Sequence, residues 1–597
     1  MFKGTTVKAI LAVVFFACGT GLGQSLEDNW KDFVHYVKIG HAELAKGYAQ
    51  AILESKADPS ELMALAKGSP EDYQILVMVH EAKREPELAE LIGRIIALVE
   101  KGMLARKTEA PIIAEEVRRL SSTQRGWVTA VKRLQAAGEY AIPFMLEAMA
   151  DPDRKAEFPN IVRALPYIGR DGIRPLVAAL QSKSVVIKGE IIKALGKIGY
   201  PQSKPYLKYV AEQDSSPELR SMAANSLVQI DPGAVRLSAA ELFYELGERY
   251  YYHTESLAPQ EDANSLNIWF WDQGEQKLRP VKVDSRYFYE LMAMRCCEWA
   301  LRADGGFGKA IGLWVASFFK AESYGLEMPA YFGSGHADAL TYATTAGVQY
   351  LHQALARAVK DKNAYVALGA VEALATTAGE KSLLYRLGSS QPLVEALSFA
   401  NRAVRYSAAI AIGSAGPTEE FPESKLVVAN LAQALSRGAV ATGEDARLWS
   451  EQVANTYAVR AARVMLKLAE SRNRVIDLSI AQPFLIAAIN DERSEIQILV
   501  GRILAYLDSP DAQRAIAAMA LDEGNSLEVR VAAFESLATS AKLNANMLID
   551  QMVDGIYALI KSDQTDPELR STAAAAFGAL NLPSEKVKDL ILDQAKS

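Results

Sequence analysis

The chain has 597 residues, half of them hydrophobic and 23% charged, a composition that belongs to folded globular protein and excludes a disordered chain. Lys and Arg number 65 against 72 Asp and Glu, a formal charge of −7, which argues against nucleic-acid binding by phosphate neutralisation. Three cysteines exclude a disulfide scaffold, and six scattered histidines leave little for a metal centre. At roughly 100–200 residues per domain the length has room for about four domains.

The first residues read as an export leader. Lys3 and Lys8 form a basic start, residues 9–17 are an apolar run, and Gly21 and Gly23 are the small residues a signal peptidase needs. The run is far shorter than the ~20 residues that span a bilayer. Cleavage is expected after Gly23, giving an exported protein, periplasmic or extracellular. The competing route is lipoprotein anchoring at Cys18, but Phe15 suits it poorly. Cleavage after Gly23 removes two lysines and no acid, moving the charge from −7 to −9. No later stretch qualifies as a membrane span.

Residues 27–136 carry helical patterning without a clean repeat. Trp30, Phe33, Val34 and Val37 share one helical face, and Gly40 breaks the pattern before Ala42–Leu53. Three or four helical pairs are expected there.

Residues 137–235 and 346–597 repeat themselves. Pro217–Ala224 recurs as Pro567–Ala574 with seven of eight positions identical, 350 residues on. Ile187, Ile191, Leu195 and Ile198 return as Leu219, Ala223, Leu227 and Ile230. Val366, Ala370 and Leu374 return as Val404, Ala408 and Ile412. Ile496, Val500 and Leu504 return as Val529, Ala533 and Leu537, then as Leu569, Ala573 and Phe577. Each set follows the spacing of one helical face. A second apolar helix precedes each copy, and Gly196 with Gly199, and Gly413 with Pro417, are expected to stop two of the copies. Short helix pairs cannot bury both apolar faces alone, whereas stacked pairs can. The predicted fold is therefore all-α, an α-solenoid with a small aromatic-rich β-hairpin inserted.

The residues also resemble a known family. A proline early in the first helix (Pro175, Pro205, Pro392) and a Leu-Arg or Val-Arg step opening the second (Arg220, Arg405, Arg530, Arg570) resemble HEAT repeats. The short variety found in phycobilisome-lyase-type proteins is the most similar, and the whole chain resembles an exported bacterial HEAT-repeat protein. The resemblance implies that each arginine pairs with acidic groups of neighbouring repeats, with Asp566 a local partner. Lys188, Ala367 and Gln497 depart from the pattern and would interrupt such a ladder.

Residues 236–345 differ. Twelve aromatics fall in the 57 residues from Phe243 to Trp299. Residues 268–272 and 277–283 flank a Gly-containing turn and are expected to pair as a hairpin, with Pro280 on an edge strand. These rings either cement the join between two helical arrays or form a flat binding platform for a peptide or sugar. Tyr251, Trp269 and Trp271 are the candidate partner-binding residues.

No residues stand out as catalytic, cofactor-binding or metal-binding. Gly305–Lys309 lacks the spacing of a phosphate loop, and Ser334, His336 and Asp338 lack a nucleophile elbow. The adjacent Cys296 and Cys297 read as small buried hydrophobes. His253 and His352 read as isolated surface or core histidines.

The expectation for function is a non-enzymatic scaffold that binds a protein or peptide of the cell envelope on a solenoid surface, without nucleic acid. The acidic balance favours a basic or neutral partner. Two alternatives stay open: an enzyme or lyase-like subunit with a site near the hairpin, and an envelope polysaccharide binder.

Overall fold

The structure, a computed structural model, describes residues 25–254, 265–436, 448–583, 587–588 and 591–592. The leader expected at 1–23, Cys18 included, lies outside the described residues. The chain divides into two compact units. One runs to Ile198 and takes in Trp271–Leu278; the other holds Gly199–Phe270 and continues from Arg279.

The N-terminal unit begins with helices Leu26–Lys38, Ala42–Glu54, Pro59–Gly68, Pro70–Ala82 and Pro86–Thr108. Trp30, Phe33, Val34 and Val37 all face inward, as their spacing requires, and join Ile52, Leu62, Leu76, Ile92 and Ile95 in one core. Helix Val185–Ile198 closes the unit's series. The tip of the hairpin sits on the loop before that helix. The Lys183 backbone N–H donates to Gln276 Oε1 at 3.1 Å, and Gln273 Nε2 donates to the Gln181 carbonyl at 3.4 Å.

In the other unit the repeat logic is visible as two rows of helices. Second helices Ala364–Thr377, Arg402–Ala415, Glu451–Glu470, Ser494–Leu504, Leu527–Asn544 and Pro567–Ala579 each pack on the next. First helices Ser424–Leu435, Gln482–Ala488, Pro510–Leu521 and Asp550–Lys561 form the companion row. This is the all-α solenoid of HEAT-like pairs that the periodicity predicts, because each apolar stripe is covered by its neighbour.

The first three residues of every recurring set, from Ile187 to Phe577, are buried, while Ile198 and Ile230, which end the two four-position sets, are partly exposed. The reason is local as well as tertiary. The first of each set is the third helical residue, and in all but Ile496, whose helix has no side-chain cap, its N–H is bound by the side chain three residues earlier: Ser184 for Ile187, Ser216 for Leu219, Asn363 for Val366, Asn401 for Val404, Ser526 for Val529 and Asp566 for Leu569. The cap fixes where the helix starts, and the start fixes which face is apolar.

Two expectations need correction. The arginines do not form an acidic ladder. Arg220 donates to the carbonyls of Asp214 and Ser215, Arg405 to Phe399 and Ala400, Arg530 to Ala520, and Arg570 to Ser562 and Thr565. Each reaches back into the end of the preceding helix or the turn after it, where carbonyls lack intrahelical partners and the helix dipole is negative. None of the four lies within ion-pair distance of a carboxylate among the described residues. Gln497, one of the departures, does the same work, donating to the Ile489 carbonyl and to Asn525 Oδ1, both at 2.9 Å.

Gly413 and Gly196 do not stop helices either. Both lie inside one, and the stops are Gly416 at φ 64° and Gly199 at φ 70°. A Cβ on Gly413 would come within 2.7 Å of Val464 Cγ1, so that glycine serves the close approach of two second helices.

The hairpin is present as β1 (Ser265–Asp272) and β2 (Lys277–Asp284), a two-stranded sheet. Asn267, Ile268 and Trp269 are all buried, which requires cover on both faces of β1.

Candidate functional site

Two arrangements in the second unit gather side chains that a ligand could meet. The first begins at the end of helix Ala239–Tyr251, whose start is fixed by a Ser238–Glu241 capping box. The helix ends in a Schellman motif, with the His253 N–H bonded to the Tyr250 carbonyl and the Thr254 N–H to the Arg249 carbonyl. His253 takes the left-handed position, φ 50°, usually given to glycine. That conformation turns its ring onto Tyr289, at 4.6 Å and 22°, and directs Nε2 at Glu290 Oε1, 2.6 Å away.

Glu290 sits in the first turn of helix Phe288–Ala303 and is wholly buried. Lys320, in the last turn of helix Lys309–Glu322, places Nζ 3.1 Å from the same Oε1 and donates to the Tyr251 carbonyl at 2.7 Å. An anion at a helix start and a cation at a helix end both match the helix dipoles. The Lys320 ammonium also lies 4.6 Å from the centre of the Tyr251 ring.

Beside this group, Arg357 and Asp361 stand one turn apart on helix Val348–Asp361. Arg357 donates to Tyr252 Oη at 2.9 Å, to Tyr244 Oη at 3.0 Å and to Glu248 Oε1 at 2.5 Å. Tyr252 in turn donates to Asp361 Oδ1 at 3.3 Å. Burial, partly offset by Arg357, pushes the Tyr244 phenol up to about 12. Burial and the facing Glu290 do the same to Tyr324, also to about 12, and burial raises Tyr251 as well. These phenols stay neutral, and that of Tyr244 accepts a hydrogen bond from Arg357.

The second arrangement is a groove of about 750 Å³ along four consecutive second helices. Ile498, Leu499, Val531 and Ala532 form its floor, with Arg463, Glu495, Arg502, Glu528, Glu535 and Glu568 around it. Arg463 and Glu495 neutralise each other at 2.8 Å. Glu528, Glu535 and Glu568 are exposed and make no ion pair among the described residues, leaving Arg502 as the groove's one unpaired cation against three unpaired acids.

Of the residues singled out from sequence, Tyr251 belongs to the first arrangement, although its ring is only 2% exposed. Trp269 is 4% exposed, and Trp271 is partly covered with its indole N–H buried and unpartnered. Neither lines the clefts described, so the three do not present one exposed platform of rings. The neighbouring aromatics pack internally: Phe243 stacks on Trp299 at 5.8 Å, and Tyr206 and Tyr209 meet this pair edge-on. Rings of the repeat helix Lys204–Gln213 thus join those of the middle region.

His253 is not isolated, contrary to the sequence reading. Its partners lie 37 and 67 residues away in the chain, and no spacing rule joins such positions. His352 is a core histidine as read, donating to the Ser382 carbonyl at 2.8 Å. Cys296 and Cys297 are free and fully buried, and desolvation raises both thiols well above their ordinary range, which leaves them inert. Ser334, His336 and Asp338 share no hydrogen bond; Asp338 caps helix Ala339–Ala346 instead. Among the described residues no group of His, Cys, Asp and Glu could hold a metal ion, and no helix is long and apolar enough to cross a membrane.

Comparison with known proteins adds the following. The family model "HEAT repeats" matches residues 142–228. No curated protein matches the chain. Among solved structures, an engineered protein is 15% identical over 93% of this chain and 99% of its own, with a TM-score of 0.22. She4p is 10% identical over 93% of this chain and 79% of its own, with a TM-score of 0.30. Kap95 in a complex with Nup1 is 14% identical over 95% and 65%, with a TM-score of 0.27. The family match falls on the first set of repeats read from the sequence, so residues 142–228 carry HEAT repeats.

Proposed function

We propose that the protein is a binding scaffold whose partner is a basic protein segment held in the groove between Arg463 and Glu568. One observation carries this reading: three exposed glutamates, Glu528, Glu535 and Glu568, line an apolar floor, make no ion pair among the described residues and outnumber the groove's one unpaired cation, Arg502. A preformed groove on stacked helices loses little conformational freedom on binding, and an extended lysine- or arginine-bearing chain supplies complementary charge. The overall charge of −7 acts in the same direction at long range.

The alternative of catalysis has one specific observation in its favour, the His253–Glu290–Lys320 group. There, however, both nitrogens already converge on Glu290 Oε1, and neither is left directed at a substrate. Envelope polysaccharide binding relied on exposed rings at Trp269 and Trp271, and the burial of Trp269 weakens it. The leader-like residues 1–23 support a site of action outside the cytosol, which cell fractionation of the full-length chain tests; retention in the cytosol would remove that part of the reading.

The direct experiment is a fluorescence-anisotropy titration with labelled lysine-rich, neutral and glutamate-rich peptides of equal length. Binding of the lysine-rich peptide alone, weakened by about tenfold in an E528Q/E535Q/E568Q variant and weakened further by salt, is the expected result. Equal affinity for all three peptides, or no effect of the triple substitution, would contradict it.

A further inference from the structure

The cleft lined by Tyr251, Tyr252, His253, Lys320, Asp361 and Asn363 measures about 440 Å³. Tyr252 and Asp361 also line a neighbouring cleft of about 710 Å³, so the two adjoin at this pair. Among the described residues, three buried oxygens around Tyr251 have no hydrogen-bond partner: its own hydroxyl, Glu290 Oε2 and Asp361 Oδ2. The two carboxylate oxygens can only accept, whereas the phenol can donate or accept, and both carboxylates act electrostatically on the Tyr251 phenol. The nearby cations are already committed, Lys320 to Glu290 and the Tyr251 carbonyl, and Arg357 to Glu248, Tyr244 and Tyr252. These carboxylate oxygens are left open to a further donor. Walls of Tyr251 and Tyr252, set edge to face at 5.1 Å, suit an alkylammonium, whose charge favours aromatic faces as well as carboxylates.

The larger cleft has the opposite character at its rim. Lys309 and Lys360 line it, and neither makes a hydrogen bond or an ion pair among the described residues. Two free ammonium groups on one side and orphaned acceptors on the other form a dipolar site.

We propose that the adjoining clefts bind a small zwitterion of the aliphatic amino-carboxylate class. Its ammonium group donates to Asp361 Oδ2 and the Tyr251 hydroxyl against the Tyr252 ring, and its carboxylate faces Lys309 and Lys360. This site is separate from the acidic groove and stands or falls independently of the peptide-binding reading.

Calorimetric titration of the full-length protein with 6-aminohexanoate, hexylamine and hexanoate tests it. The zwitterion should bind about tenfold more tightly than either half-molecule, because only it satisfies both ends. Asp361→Asn should weaken 6-aminohexanoate and hexylamine by about tenfold and leave hexanoate unchanged. The surface variant K309M/K360M, which removes no packing, should abolish the advantage of the zwitterion over hexylamine. No binding of 6-aminohexanoate at millimolar concentration, equal affinity for all three probes, or full affinity in K309M/K360M would overturn the proposal.

Discussion

Leu219 and Leu569 occupy the same place in two helices that lie 350 residues apart. Each is the third residue of its helix and is buried, at 1% and 3% exposure. Each gives its N–H to an N-cap side chain, Ser216 Oγ at 3.2 Å and Asp566 Oδ1 at 3.3 Å. Each is followed by an arginine that returns to the preceding turn. The two sites differ in what lies beyond them, since the Leu569 pair is the last one described.

That difference gives the first prediction. Truncation to alanine should cost about 2–5 kcal/mol at either leucine, by lost burial and an unfilled cavity. In a stack whose pairs touch only their neighbours, L219A should lower the main unfolding transition, whereas L569A should chiefly open residues 550–580. Denaturant melts combined with hydrogen exchange separate the two. Equal exchange profiles for both variants would count against a nearest-neighbour stack.

The turn-capping arginines make a second. Arg530 bonds a carbonyl of helix Pro510–Leu521 and no carboxylate, so R530A should lose about 1–2 kcal/mol, the value of one charge-assisted hydrogen bond. The loss should be nearly the same at low and high salt, because no ion pair is there to be screened. A loss that vanishes at 1 M NaCl, about a 3 Å Debye length, would restore the acidic ladder.

How far the sequence carried these features depends on distance along the chain. The Leu219 and Leu569 faces were legible because a helical stripe is a local pattern, repeated. The hairpin was legible from the aromatic and β-branched run at 268–272. The arginine contacts were misread because resemblance suggested carboxylate partners, while the nearer acceptors were backbone carbonyls that no side-chain pattern marks. Gly413 was read as a stop because a close helix approach and a helix end both favour glycine. His253 with Glu290 and Lys320, and the groove glutamates Glu528, Glu535 and Glu568, depend on which helices meet, so sequence alone left them unmarked.

The buried Glu290 supplies a third prediction. Lys320 and His253 are its compensation in a site without water-like surroundings, and removing one member of such a set leaves the others uncompensated. K320M should cost about 3–5 kcal/mol. E290Q should cost less than K320M, because the amide keeps a hydrogen-bond acceptor and removes the buried charge. Denaturation midpoints of the two variants check the order; K320M at wild-type stability would show that the pair is not buried in solution.

His352 supplies a fourth. It is fully buried, and burial lowers its pKa below the ordinary 6.5. Above 6.5 the ring is neutral in both folded and unfolded chains. As the pH falls below that value the unfolded chain takes up a proton that the folded one refuses, so stability falls until the lowered folded value is reached. The slope is at most about 1.4 kcal/mol per pH unit for one proton. H352Q should flatten the stability profile over that window relative to the native protein, and an unchanged slope would assign the effect elsewhere.

The central claim is that the stacked second helices hold a basic chain in the groove between Arg463 and Glu568. Photo-crosslinking measures this most directly, with a benzophenone side chain placed at Leu527 on the groove wall and, as a control, at Val186 in the N-terminal unit. The account predicts that a lysine-rich peptide is captured from position 527 and not from 186, and that excess unlabelled peptide suppresses the capture. Equal capture from both positions, or none from 527 at peptide concentrations that saturate binding, would contradict it.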